Sequence, residues 1–227
     1  MERTSLRQKP RAHLLRATLT ACLCLCSSWV NAGTQVSQLN GLDQAISEGR
    51  VTSWNSLIEQ SSNLSELNQL QSINRFINRA ISFGSDQAVW GENEYWASPL
   101  EALRKGRGDC EDYAIAKFFG LSKLGIPHAR LRLTYVKALQ RKQAHMVLAY
   151  YPIGQSDPLI LDSLTNQIKP ASQRSDLLPV FAFNHEGIYL AKTPQQKAKQ
   201  PPESLSRWTQ VRERAVAEGS SDYAPGS

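Results

Sequence analysis

Between Leu64 and Ala80 the apolar residues Leu64, Leu67, Leu70, Ile73, Phe76, Ile77 and Ala80 recur every three or four positions, the spacing of one buried helix face. The same spacing starts upstream at Trp54, Leu57 and Ile58, whereas Gly33 to about Arg50 is polar, weakly patterned and predicts no element. Ser65 or Asn63 suits the N-cap of the helix, and Phe83-Gly84-Ser85-Asp86 ends it. A loop of large aromatics follows from Trp90 to Trp96, then Ser98-Pro99 provides a cap and first turn for a short helix ending near Lys105-Gly106. A further helix is predicted from Cys110 to Leu124, with Ala114, Ile115, Phe118, Phe119 and Leu121 on its buried side. Gly125-Ile126-Pro127 stops it.

The period then changes to two. Leu131, Leu133 and Tyr135 alternate with Arg130, Arg132 and Thr134, Ala144 to Tyr151 is a second extended run, and Leu159-Ile160-Leu161-Asp162 is a third. Val180 to Phe183 and Gly187 to Leu190 add short strands. Helices followed by strands without helical crossovers predict an α+β fold, N-terminal helices packed on an antiparallel β-sheet. Beyond Lys192 the chain reads as a weakly ordered tail, 193–227, with a short helix around Leu205 to Val216.

Charge redirects attention to the N-terminus. The formal charge of +6 is concentrated there: Arg3, Arg7, Lys9, Arg11 and Arg16 precede Gly33 with only Glu2 against them, leaving 21 basic and 19 acidic residues. No basic stripe of the kind that neutralises phosphates remains, so no nucleic acid partner is expected. Met1 to Arg16 is basic and polar, Ala17 to Val30 mostly apolar or small, and Val30-Asn31-Ala32 sets small residues where a signal peptidase reads. This pattern predicts a secretory signal over 1–32, cleaved after Ala32, with the domain proper over 33–192. The apolar stretch is shorter than the roughly 20 residues that span a bilayer. Leu19-Thr20-Ala21-Cys22 fits a lipoprotein signal as a second reading, although Arg16 leaves little apolar run before it. With no membrane span after cleavage, the mature chain is expected to be soluble in a bacterial periplasm.

Cleavage would discard Cys22, Cys24 and Cys26 and leave Cys110 alone, so no internal disulfide is expected. Cys110 stands where a glycine-bearing loop becomes a helix, a position whose unpaired N–H groups and dipole favour a thiolate. Such a nucleophile needs a base. His128 and His185 lie in turns, whereas His145 lies on a predicted strand, sharing a face with Val147 and Ala149. Asp162 ends an apolar run, where an ionised carboxylate is costly without a partner, and an adjacent strand would let it accept a hydrogen bond from the imidazole. Asp109, Glu111 and Asp112 crowd the thiol with negative charge. Acids at a helix start favour the helix dipole, and clustered carboxylates also suit calcium, which would cancel the repulsion. Trp96 is either a second oxyanion donor through its indole N–H or an aromatic packing wall.

Tyr95-Trp96-Ala-Ser-Pro, Gly-Asp-Cys110-Glu-Asp-Tyr-Ala, His145-Met-Val-Leu-Ala-Tyr-Tyr and Leu-Ile-Leu-Asp162-Ser, in this order, resemble the bacterial transglutaminase-like cysteine proteinases of the LapG type, over roughly Trp54 to Leu190. The resemblance implies a transglutaminase-like, papain-like fold with Cys110 as nucleophile, His145 as general base and acid, Asp162 as its orienting partner, and calcium at Asp109, Glu111 and Asp112. It further implies a periplasmic, calcium-dependent endopeptidase. Its expected substrate is a large surface adhesin, cut near the N-terminus at a pair of alanines so that biofilm cells are released. An inner-membrane receptor that senses cyclic di-GMP is expected to hold it inactive. Acyl transfer to amines or amide hydrolysis at the same site, and a non-catalytic binding module, are the rival readings.

Overall fold

A computed structural model describes the backbone over residues 20–190 and 193–219. Its contacts divide the chain into two units, Met1–Ile46 and Ser47–Ser227. The first helix, α1, runs Thr20–Ser61, so the stretch from Gly33 to Arg50 that predicted no element is helical. It contains no proline, and an isolated helix needs no apolar stripe to satisfy its own backbone. Among the residues whose burial is described, its last turns bury Val51 and Trp54. Of the predicted signal segment, residues 1–19 lie outside the described residues and 20–32 fall within α1. No helix among the described residues is long and apolar enough to cross a membrane.

Within the second unit, α2 (Glu66–Ala80) has Ser65 at its N-cap and buries Leu70, Ile73 and Ile77. A two-residue strand β1 (Ser82–Phe83) leads to the single turn α3 (Asp86–Val89), and α4 (Pro99–Lys105) follows the aromatic loop. The predicted signals around α4 are all used: Ser98 and Glu101 form a reciprocal capping box, Pro99 opens the helix, and Gly106 closes it at φ +64°. β2 (Arg107–Gly108) pairs in parallel with β1 and delivers the chain to α5 (Cys110–Lys123). From Asp112 to Ser122 that helix is buried on more than one face: Ala116 and Lys117 are covered as fully as Ile115 and Phe118, and Tyr113 nearly so. At Gly120 a Cβ would collide with the Trp54 ring, so glycine there lets α1 pass close to α5.

The sheet comprises β3 (Leu131–Ala138), β4 (Gln143–Tyr150), β5 (Leu159–Leu161), β6 (Lys169–Pro170), β7 (Leu177–Phe183), β8 (Ile188–Leu190) and β9 (Thr193–Lys197). Its order is β6-β5-β4-β3-β7-β8-β9, with every neighbouring pair antiparallel. One face, carrying Leu131, Leu133, Met146 and Leu148, belongs to the main core shared with α5. The other carries a smaller apolar cluster of Val136, Val147, Ala149 and Ile160.

The tail beyond Lys192, expected to be weakly ordered around one short helix, has defined elements. Its first residues form edge strand β9, and the predicted short helix is α6 (Ser206–Ala217), whose Trp208, Val211 and Ala215 are completely buried. Few apolar residues occur in this stretch, so composition masks it, but Trp208, Val211 and Ala215 lie three or four apart and enter the core, while Val216 stays exposed. Residues 220–227 lie outside the described residues.

Candidate active site and acid cluster

β2 and the first turn of α5 place the acids. Asp109 is the N-cap, and its N–H donates to Asp112 Oδ2 at 3.3 Å. A Cβ on Gly108 would strike the Asp112 carboxylate, so only glycine allows this approach. Asp112 is fully buried and also accepts from the Ala97 N–H at 2.8 Å.

Asp86, the first residue of α3, joins them. Ligand-capable oxygens of Asp86, Asp109 and Asp112 all lie within 4.8 Å of one another, as do single atoms of Asp109, Cys110 and Glu111. Sequence reading missed Asp86, because it stands far upstream in a segment that looked like a helix-ending turn; the β1–β2 pairing brings it in. Its Oδ2 accepts from the Tyr95 N–H at 2.7 Å. The expected set of Asp109, Glu111 and Asp112 is therefore shared between two groupings that meet at Asp109.

Electrostatics mark this cluster as short of positive charge. Burial, then repulsion by Glu111 and Asp112, pushes the Asp109 carboxyl up to about 9. Burial likewise raises Asp112 to about 7, against the opposing Ala97 hydrogen bond, and raises Asp86. Among the described residues, Asp86 Oδ1 and Asp109 Oδ1 are buried without a hydrogen-bond partner. Hard carboxylate oxygens, clustered, unpaired and mutually repelling, fit calcium better than a softer metal.

Cys110 opens α5, half-buried, and its thiol donates to Glu111 Oε2 at 2.7 Å. The thiolate expected from its helix position is not favoured in this arrangement. Burial pushes the thiol pKa far up, and the Glu111 charge and hydrogen bond add to it, outweighing the help of the Met146 N–H. The helix terminus is a partial charge, whereas Glu111 is a full one at hydrogen-bond distance.

The Met146 N–H reaches the Cys110 sulfur, which places the nucleophile candidate beside β4, and His145 is the preceding residue of that strand. His145 is buried, in register with Val136, and shares its face with Val147 and Ala149. Leu148 pairs with Leu161, which sets Asp162 one step beyond β5 and diagonally across from His145. There His145 Nε2 and Asp162 Oδ1 meet at 2.7 Å. Asp162 is completely buried and its other oxygen accepts from Arg174 Nη2 at 2.7 Å, while the Leu164 N–H donates to Oδ1 at 3.0 Å. Burial alone would raise this carboxyl. The His145, Leu164 and Arg174 hydrogen bonds overcome it and hold the group well below the usual carboxylate range. Arg174 in turn is held by Asp176 at 2.8 Å. Sequence reading missed both residues of this pair; an arginine in a polar turn carries no local signal of burial.

Trp96 stacks on Phe183, with ring centroids 5.7 Å apart and planes at 13°. This stacking is a packing role, and among the described residues its buried indole N–H has no hydrogen-bond partner.

Comparison with known proteins places the chain. Residues 47–176 match the family of bacterial transglutaminase-like cysteine proteinases. This chain belongs to that family. Legionella pneumophila LapG is 40% identical over 79% of this chain and 97% of its own, with a TM-score of 0.65. Its EGTA-treated form superposes with a TM-score of 0.68 at 40% identity, again over 79% and 97% of the two chains. Its calcium-bound form gives 0.67 at 39% identity, over 79% and 98%. No curated protein matches the chain. The fold expected from the motifs, a transglutaminase-like cysteine proteinase with helices on an antiparallel sheet, is the one observed.

Proposed function

We propose that this protease is an exported, calcium-dependent cysteine endopeptidase in which Cys110 attacks, His145 carries the proton and Asp162 orients the ring. The observation that carries the reading is the buried His145–Asp162 hydrogen bond, on a strand whose next N–H meets the Cys110 sulfur. Because Asp162 occupies Nε2, Nδ1 is the nitrogen left to exchange a proton with the thiol. The thiolate then adds to the peptide carbonyl, and the oxyanion is met by the Cys110 N–H and the acceptorless Trp96 indole. His145 returns its proton to the departing amine, leaving an acyl-enzyme. Water, deprotonated by the same ring, releases the acid and regenerates the thiol. Asp162, kept ionised by Arg174, stabilises the imidazolium in both halves.

Asp86, Asp109 and Asp112, with Glu111 beside Cys110, would hold calcium. When bound, the ion supplies positive charge against carboxylates that otherwise oppose a thiolate. The orphaned oxygens support this reading, as does the existence of a calcium-bound form of Legionella LapG.

The substrate we propose is the N-terminal region of a large surface adhesin, cut at a pair of alanines to release biofilm cells. Export by the signal at 1–32 would bring the enzyme to the periplasm, and an inner-membrane receptor that senses cyclic di-GMP would restrain it. The deciding experiment incubates the purified protein with adhesin N-terminal fragments, with calcium or with EGTA. Cleavage by wild type in calcium, absent in EGTA and in Cys110→Ala, is expected. Cleavage by Cys110→Ala would reject the nucleophile, and amine incorporation in place of cleavage would make the enzyme a transglutaminase.

A further inference from the structure

Helix α6 lies outside the residues that match the family, yet it reaches the loop that holds the acid cluster. Arg214 Nη2 donates to the Trp96 carbonyl, its Nε to Glu101 Oε2 at 3.1 Å, and its guanidinium covers the Tyr95 ring at 4.8 Å. On either side of that carbonyl the backbone turns inward: the Tyr95 N–H holds Asp86 and the Ala97 N–H holds Asp112. A single side chain thus fastens the midpoint of a three-residue segment whose two ends each aim one carboxylate of the cluster. Just past α6, Glu218 accepts from Ser98 Oγ at 2.6 Å and the Leu100 N–H at 3.3 Å at the start of α4, and Arg207 lies 3.8 Å from Glu94.

We propose that Arg214 is a positioning residue for the calcium site, fixing the Tyr95–Ala97 backbone from which Asp86 and Asp112 are held. The inference rests on the calcium reading above and adds to it that the C-terminal helix sets the affinity of the site. Residues that orient ligands in this indirect way typically change metal affinity 10- to 100-fold when lost. Arg214 has a planar fork able to bind a carbonyl and a carboxylate together, which a lysine cannot reproduce in full.

Calcium titration by calorimetry, on chelator-stripped full chain, tests this with the melting temperature of the calcium-free protein recorded beside it. Arg214→Gln is expected to raise the Kd at least about tenfold. Arg214→Lys is expected to recover part of the loss. Glu218→Gln loosens the same helix away from the Trp96 carbonyl, so it should lower the melting temperature comparably while leaving the Kd within about twofold of wild type. An unchanged Kd in Arg214→Gln, or an equal loss in Glu218→Gln, overturns the proposal. Should Arg214→Gln fail to fold, an unchanged Kd in Arg214→Lys overturns it equally. A wild type that binds no calcium brings down the calcium reading first, and the role of Arg214 with it.

Discussion

Glu111 Oε2 accepts a hydrogen bond from the Cys110 thiol at 2.7 Å, so the nearest full charge to the candidate nucleophile is the one that opposes its ionisation. Replacing that charge by the isosteric amide in Glu111→Gln removes the repulsion and keeps a polar neighbour. In EGTA, alkylation of Cys110 by iodoacetamide near neutral pH is expected to be about tenfold faster in the variant than in wild type, since each unit of lowered pKa raises the thiolate fraction about tenfold. Equal rates would mean that burial alone controls the thiol.

The acid cluster predicts an inverted pH dependence. Asp109 and Asp112 have folded-state pKa values raised to about 9 and about 7, first by burial and then, for Asp109, by neighbouring carboxylates. Between the ordinary aspartate value and these raised ones the folded state binds more protons than the unfolded chain, so stability falls as pH rises. Chelator-treated protein should therefore melt at a higher temperature at pH 5 than at pH 8. Calcium should restore the loss at pH 8 and do little at pH 5, a contrast that differential scanning calorimetry measures directly.

Asp162 has the opposite sign. Its depressed pKa contributes stability that is full above the ordinary carboxylate range and is lost as pH falls below it toward the lowered folded value. Arg174→Met leaves the buried carboxylate with His145 and Leu164 but without its guanidinium. Removing one partner of a buried pair costs about 3–5 kcal/mol, and urea denaturation at pH 7 is expected to show a loss of this order. The deficit should shrink below pH 4 as Asp162 takes a proton. A constant deficit at all pH values would assign the effect to packing.

How far the molecule is legible in its residues depends on how local each determinant is. Ser98, Pro99 and Gly106 act within one helix, and they place α4 correctly. Cys110 is legible as the opening residue of a helix, and His145 and Asp162 as residues of predicted strands that the β4–β5 register joins. Asp86 and Arg174 are not, since each becomes part of the site only through distant pairing: β1 with β2 for the first, a turn after β6 for the second. α6 was visible as a helix but not as a wall of the core, because burial of Trp208 depends on Phe118 and Phe183, which neighbour it only in the fold. The helical stretch from Gly33 to Arg50 was invisible for another reason: it has no consistent apolar face, and periodicity reports burial rather than helicity.

Lys117 offers the last test, because it is a lysine where the pattern of α5 calls for an apolar residue. It is completely buried, its Nζ has no hydrogen-bond partner among the described residues, and the Tyr113 ring centroid lies 5.9 Å away. Burial lowers its pKa to about 7, opposed by the negative charge of Asp162. From that value up to the ordinary lysine range the unfolded chain carries a proton that the folded state has lost, so this residue makes stability rise with pH across the interval. Lys117→Met keeps the side-chain volume and removes the ionisation. In calcium, where the acid cluster is neutralised, the variant is expected to be more stable than wild type at pH 7 by about 1–4 kcal/mol, in line with other exchanges of buried charge for apolar volume. That advantage should narrow as pH approaches 10. A variant less stable than wild type at pH 7 would instead make Lys117 a required countercharge to Asp162, and His145 would then be expected to lose its orientation with it.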